Sequence, residues 1–165
     1  LELPYFNSKI LIRPDGITKD DEGELGQWEK VFIYNHMAQG GDAEPAGKWI
    51  GFQEIPNTVS KIKSMRSQVE VPLQQTFSGR ADALAKAAKA VGGIDETASV
   101  GSADLAIRLQ PLPRIPVRLL FWDEDKDDGF DAKAKLIFDD TITEHLDIES
   151  IVFLSERIAL LLCDT

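Results

Sequence analysis

Apolar and polar positions alternate most clearly in the middle of the chain. Ile115, Val117, Leu119 and Phe121 point one way, while Pro116, Arg118, Leu120 and Trp122 point the other. Both sets are largely apolar towards the end of this run. That predicts a central strand with one face on helices and the other partly covered. Pro113 and Pro116 cannot donate ladder hydrogen bonds, so regular pairing is expected to begin after Pro116. The next run, Lys133–Phe138, sets Ala134, Leu136 and Phe138 on one face and Lys133, Lys135 and Ile137 on a half-solvated one. Together the two runs predict a hairpin with a roughly nine-residue acidic loop, longer than the usual range of about two to five. Upstream, Ala103–Gln110 alternates with Leu105, Ile107 and Leu109 inward, and should pair with Ile115–Trp122 around the corner Pro111-Leu112-Pro113.

The remaining periodicities are helical or short. Leu3–Phe6 is apolar, and the strand around Ile10–Arg13 ends at Pro14-Asp15-Gly16, where proline presets its own φ and glycine supplies a positive one. Lys19–Gly26 is a polar loop. Leu25, Trp28 and Phe32 recur at helical spacing, predicting a helix from about Leu25 to Gln39 that Gly40-Gly41 stops. Gly40–Gly47 is a loop of small residues, and Lys48–Ile55 is expected as a strand ended by Pro56. Lys61, Lys63 and Arg66 form a basic cluster with the character of a solvated helix end. From Pro72, Leu73, Phe77, Leu84, Ala88 and Val91 mark the clearest amphipathic helix, with Gly79 inside it and Gly92-Gly93 at its end. Asp95–Ser102 is a polar loop and Thr141–His145 a short turn. Asp147 is a good N-cap for a last helix buried through Ile148, Ile151, Val152, Ile158, Ala159 and Leu162. The order of elements predicts an α+β fold in a single domain spanning residues 1–165. Its mixed or antiparallel sheet would carry a C-terminal hairpin, with about three helices packed mainly on one face.

Composition changes this picture mainly by exclusion. The chain has 165 residues, 43% hydrophobic and 28% charged, which is enough to bury a core. The formal net charge is −10, and residues 123–150 alone hold 11 acids against 3 lysines. Binding to nucleic acid or to an anionic membrane needs a basic footprint, so neither partner is expected. One cysteine, Cys163, rules out an intramolecular disulfide framework or a cysteine-based cluster within one chain. With neither a signal-peptide pattern nor a membrane-spanning apolar run, a soluble cytoplasmic protein without cofactors is expected.

PLPRIPVRLLFWDEDKDD, followed by LIFDDTITEHLDIESIVFLSERI, resembles the family called domain of unknown function 3786. GKWIGFQEIP and the helix around Tyr34-Asn35-His36 resemble its earlier blocks, so the likeness runs from about Tyr5 to Leu162. The resemblance implies little chemistry, because the family's activity is not established. Its members occur largely in anaerobic bacteria and archaea, and some carry a cysteine-rich iron–sulfur segment ahead of this domain. Those cysteines are missing here. The resemblance therefore implies at most an accessory or binding part in anaerobic redox or one-carbon (corrinoid or iron–sulfur) metabolism, without a metal cluster of its own.

Candidate chemistry is sparse. Asp123, Asp125 and Asp127 alternate like the carboxylates of a calcium loop. Such a loop needs glycine at its sixth position and glutamate at its twelfth, where this chain has Asp128 and Ala134. A solvated acidic hairpin is the plainer expectation. His36 and His145 are the only histidines. An enzyme would have to use His36 with Asp139 or Asp104 as acid and base. Tyr34, Trp49, Arg114 and Trp122 are candidates to line a concave pocket, since aromatic and Arg side chains carry much binding energy. With no assembled acid–base or nucleophile set, an accessory or binding module with a protein or small-molecule partner is expected ahead of the small enzyme.

Overall fold

In a computed structural model of the chain, which describes residues 1–21 and 23–165, two antiparallel sheets share one apolar core with a layer of helices. The first sheet is a meander of β1 (Glu2–Tyr5), β2 (Ser8–Arg13) and β3 (Gly16–Lys19). The Pro14-Asp15-Gly16 turn closes β2 on β3, and Tyr5, Ile10 and Ile17 send their side chains into the core. The second sheet has the order β4-β8-β7-β6-β5 and is antiparallel throughout. Its strands are β4 (Trp49–Gly51), β5 (Ile94–Asp95), β6 (Leu105–Leu112), β7 (Ile115–Trp122) and β8 (Lys133–Asp139).

Register in the second sheet follows from the alternation. Val117 stands between Leu109 and Phe138, Leu119 between Ile107 and Leu136, and Phe121 between Leu105 and Ala134. All nine are buried, and each large one stabilises the fold by about 1.5–3 kcal/mol. The helices cover this inward face. They are α1 (Gln27–Gln39), α2 (Ile62–Met65), a π-helical turn (Arg66–Glu70), α3 (Val71–Phe77), α4 (Ala81–Ala90), α5 (Thr97–Val100), α6 (Ile142–His145) and α7 (Ile148–Cys163). The π-helical turn and α3 touch β8, α4 touches β6, and α7 packs on α1, α2, α3 and α4. Asp147 caps α7 by accepting from the Ser150 amide at 2.8 Å.

The expected fold needs correction. Among the described residues there are two sheets rather than one, because β1–β3 pair with one another and lean on β6 through the Phe6 amide and Pro111 carbonyl. Among the described residues helical segments run well beyond three, and β7 and β8 lie inside the sheet rather than forming a clear C-terminal hairpin. β8 is flanked by β7 and β4 inside the sheet, and the chain goes on into α6 and α7. The expected helix from Pro72 to Val91 starts earlier, at Ile62, and breaks at Gly79, whose φ of +70° ends α3 before α4 begins. The strand expected over Lys48–Ile55 pairs only through Gly51 and then tightens into a 3₁₀ turn, Phe52–Glu54.

Candidate functional site

The other side of the second sheet is only partly covered: Ala106 on β6 is buried there, but its neighbours on β7 and β8 are not. Arg118, Leu120 and Trp122 on β7, Arg108 on β6, and Lys135 and Ile137 on β8 are partly exposed, and Lys133 is exposed. Cross-strand pairing sets Arg108 beside Arg118 and Arg118 beside Ile137, then Leu120 beside Lys135 and Trp122 beside Lys133. The Arg118 guanidinium stacks over the Trp49 ring at 4.2 Å. Its edge donates to Glu96, with Nη2 3.1 Å from Oε1, and Arg108 approaches the same oxygen at 3.5 Å. Lys133 sits 5.7 Å above the Trp122 ring, whose Nε1 donates to the Ser102 carbonyl at 2.7 Å. Lys133 and Lys135 have no ion-pair partner among the described residues.

At the β4 end of this face, the loop 40–47 is tied down by buried polar groups. Asp139 is 2% exposed and accepts from the Ala46 and Gly47 amides at 2.9 Å each. The Thr141 amide and hydroxyl also donate to it, at 3.1 and 2.7 Å. Burial pushes the Asp139 pKa up, but these donors outweigh it and hold the carboxyl below the ordinary carboxylate value. His145, with no exposed surface, bonds the Ala43 carbonyl through Nε2 at 2.9 Å. Glu44 pairs with Arg114 at 2.9 Å. Gly41 lies so close to the Glu144 carbonyl that any side chain there would collide with it. His36 is half-buried with Nδ1 3.1 Å from the His145 carbonyl, and burial lowers its pKa.

The sequence candidates thus separate. Trp49 and Trp122 share the outward face but lie about six residues apart along the strands, roughly 20 Å. Arg114 serves the loop from the β6–β7 turn, and Tyr34 is 46% exposed on α1. Asp104 is exposed at the Trp122 end, where it accepts from the Asp123 amide at 2.8 Å, whereas Asp139 and His36 lie at the loop end. The acidic stretch extends the β7–β8 connection beyond the sheet. Asp123 accepts from the Gly79 amide at 2.7 Å and Glu124 from the Ser78 hydroxyl at 3.1 Å. The Asp125 carboxylate bonds the amides of Asp127 and Asp128 in its own turn. Among the described residues, no three His, Cys, Asp or Glu side chains are grouped to hold a metal ion.

Two features went unread in the sequence. Arg118 was visible as part of the outward alternation on β7, but its stacking on Trp49 depends on β4 pairing with β8. The second is a buried polar cluster: Tyr5 donates to Glu29 at 2.5 Å, and Arg157 pairs with the same carboxylate at 2.7 Å. Burial, then the Glu29 contact, push the Tyr5 pKa far up, so this phenol stays neutral.

The family model described as Domain of unknown function (DUF3786) matches residues 1–160. The chain belongs to the DUF3786 family. No curated protein and no solved structure matches it. Among the described residues of this DUF3786 domain, no helix is long and apolar enough to cross a membrane. Chemically, the outward sheet face of the domain can offer cations and ring faces to a partner. The loop-end carboxylate, already accepting from four donors, has little left to offer a substrate.

Proposed function

We propose that this DUF3786 domain is an accessory binding module that works through the outward face of its five-stranded sheet. The Arg118 guanidinium, fixed between the Trp49 ring and Glu96, carries this proposal. Immobilising a long cationic side chain beforehand removes entropy that binding would otherwise have to cover. Leu120 and Ile137 lie partly exposed among Arg108, Arg118 and Lys135, a mixture of Arg, Trp and aliphatic surface typical of interface centres. The partner that fits is anionic and carries an apolar anchor. Saturation of Asp139 and the placing of Asp104 at the far end of the sheet favour binding over acid–base chemistry with His36.

The three tryptophans provide the test, because Trp28 lies on α1, away from this face. Titration with a synthetic glutamate-rich peptide containing one phenylalanine, followed by indole N–H resonances, should shift Trp49 and Trp122 and leave Trp28 in place. Lys135→Glu should weaken the response. Shifts confined to Trp28, or no shift at millimolar peptide, would overturn the proposal.

A further inference from the structure

We infer that the outward sheet face receives the acidic hairpin of a second copy of this chain, so that the domain pairs with itself through exchanged arms. The inference rests on the sheet-face proposal above and supplies its occupant.

Charge and shape argue for it together. The outward positions of β6, β7 and β8 bring four cations, Arg108, Arg118, Lys133 and Lys135, around Leu120 and Ile137. Of the carboxylates near them, Glu96 is committed to the two arginines, Asp139 to the loop 40–47, and Asp104 accepts from the Asp123 amide. Beyond β7 and β8, residues 123–131 read DEDKDDGFD, with six acids against one lysine. Reciprocal bonds between Asp125 and Phe130, at 2.8 and 2.9 Å, close the tip of this arm. Phe130 is nonetheless 68% exposed, and it stands outside the core cluster. Asp123 and Glu124 anchor the arm to Gly79 and Ser78, which leaves Asp127 and Asp128 at its tip.

An exposed phenylalanine among carboxylates complements a face of aliphatic and Trp surface among cations. The arm cannot reach that face in its own molecule, because the Asp125–Phe130 bridge continues the β7–β8 ladder away from it. A two-fold pair satisfies both surfaces twice, since each copy gives an arm and receives one. Despite the net charge of −10 on each copy, the association is governed by the local patches, because solvent-exposed charges beyond about 8 Å are screened at physiological salt.

Sedimentation velocity over a concentration series, at low and high salt, is the first measurement. A dimer is expected that high salt weakens. Two charge-reversed proteins, Lys133→Glu/Lys135→Glu and Asp127→Lys/Asp128→Lys, should each self-associate roughly tenfold or more weakly. Mixing them should restore a heterodimer, and circular dichroism confirms that each is folded. Phe130→Ala should weaken the dimer without changing its salt dependence. Wild type that stays monomeric at millimolar concentration overturns the inference, as does a dimer indifferent to both charge reversals. A monomer whose Trp49 and Trp122 resonances still answer the acidic peptide keeps the sheet-face proposal while losing this one, and a monomer that ignores the peptide loses both. Preferential binding of an oligothymidylate on the same face would also overturn it, in favour of a single-stranded nucleic acid.

Discussion

At the scale of single residues, Asp139 decides how the loop 40–47 is held. Three of its four hydrogen bonds fall on one oxygen and one, from the Gly47 amide, on the other. In Asp139→Asn one of these positions becomes an NH2 group facing a donor, so the substitution should cost about 1–3 kcal/mol. Urea denaturation measures the loss, and faster exchange of the Ala46 and Gly47 amides would locate it. The pH dependence has a definite sign. Because the folded pKa is depressed, the carboxylate's contribution is complete above the unfolded value of about 3.9 and disappears as pH falls through the lower folded value. Wild type should therefore lose its advantage over Asp139→Asn on acidification below about pH 4. A difference between the two that stays constant from pH 7 to pH 2.5 would show that the carboxylate's charge does not matter to the fold.

At the scale of elements, α7 is the helix on which the helical layer rests. Ile151 and Leu162 on it have no exposed surface, whereas Leu160 is 54% exposed. Ile151→Ala and Leu162→Ala should each destabilise by about 2–5 kcal/mol. Leu160→Ala should stay within roughly half a kcal/mol. Thermal and denaturant unfolding of the three variants checks the ranking, and equal losses would mean that the buried face is misassigned. That face was legible in the sequence, as were the cores of β6, β7 and β8, because long amphipathic runs repeat their signal many times. Short pieces were not. β5 and α5 have two and four residues and form only against β6, where the Thr97 hydroxyl accepts from the Ala106 amide. Separation of β1–β3 into their own sheet leaves no trace in local alternation, which states that a strand exists and not which strand it joins. The same limit applies to the candidate site. Trp49 was visible in the sequence as an aromatic, but its face is fixed by Asp139, far along the chain.

At the scale of the whole molecule, net charge is a poor guide because the charge is segregated. The acidic segment 123–150 contains the two lysines, Lys133 and Lys135, that help make the outward sheet face cationic. Of the alternating acids that looked like a calcium loop, Asp123 is spent on the Gly79 anchor and Asp125 on amides of its own turn. Millimolar calcium should accordingly leave the melting temperature where a matched ionic-strength control puts it. A saturable rise specific to calcium and missing from Asp125→Asn would contradict this. The strand order also has a temporal side. β6, β7 and β8 follow one another and can zip as they are made, while β4, synthesised long before, must wait for β8 and close the whole intervening loop. Until it does, a growing chain presents Ile137–Asp139 as a bare edge to its neighbours on the polysome, and Lys133 and Lys135, just before it on the same strand, are charges that discourage another strand from pairing along β8.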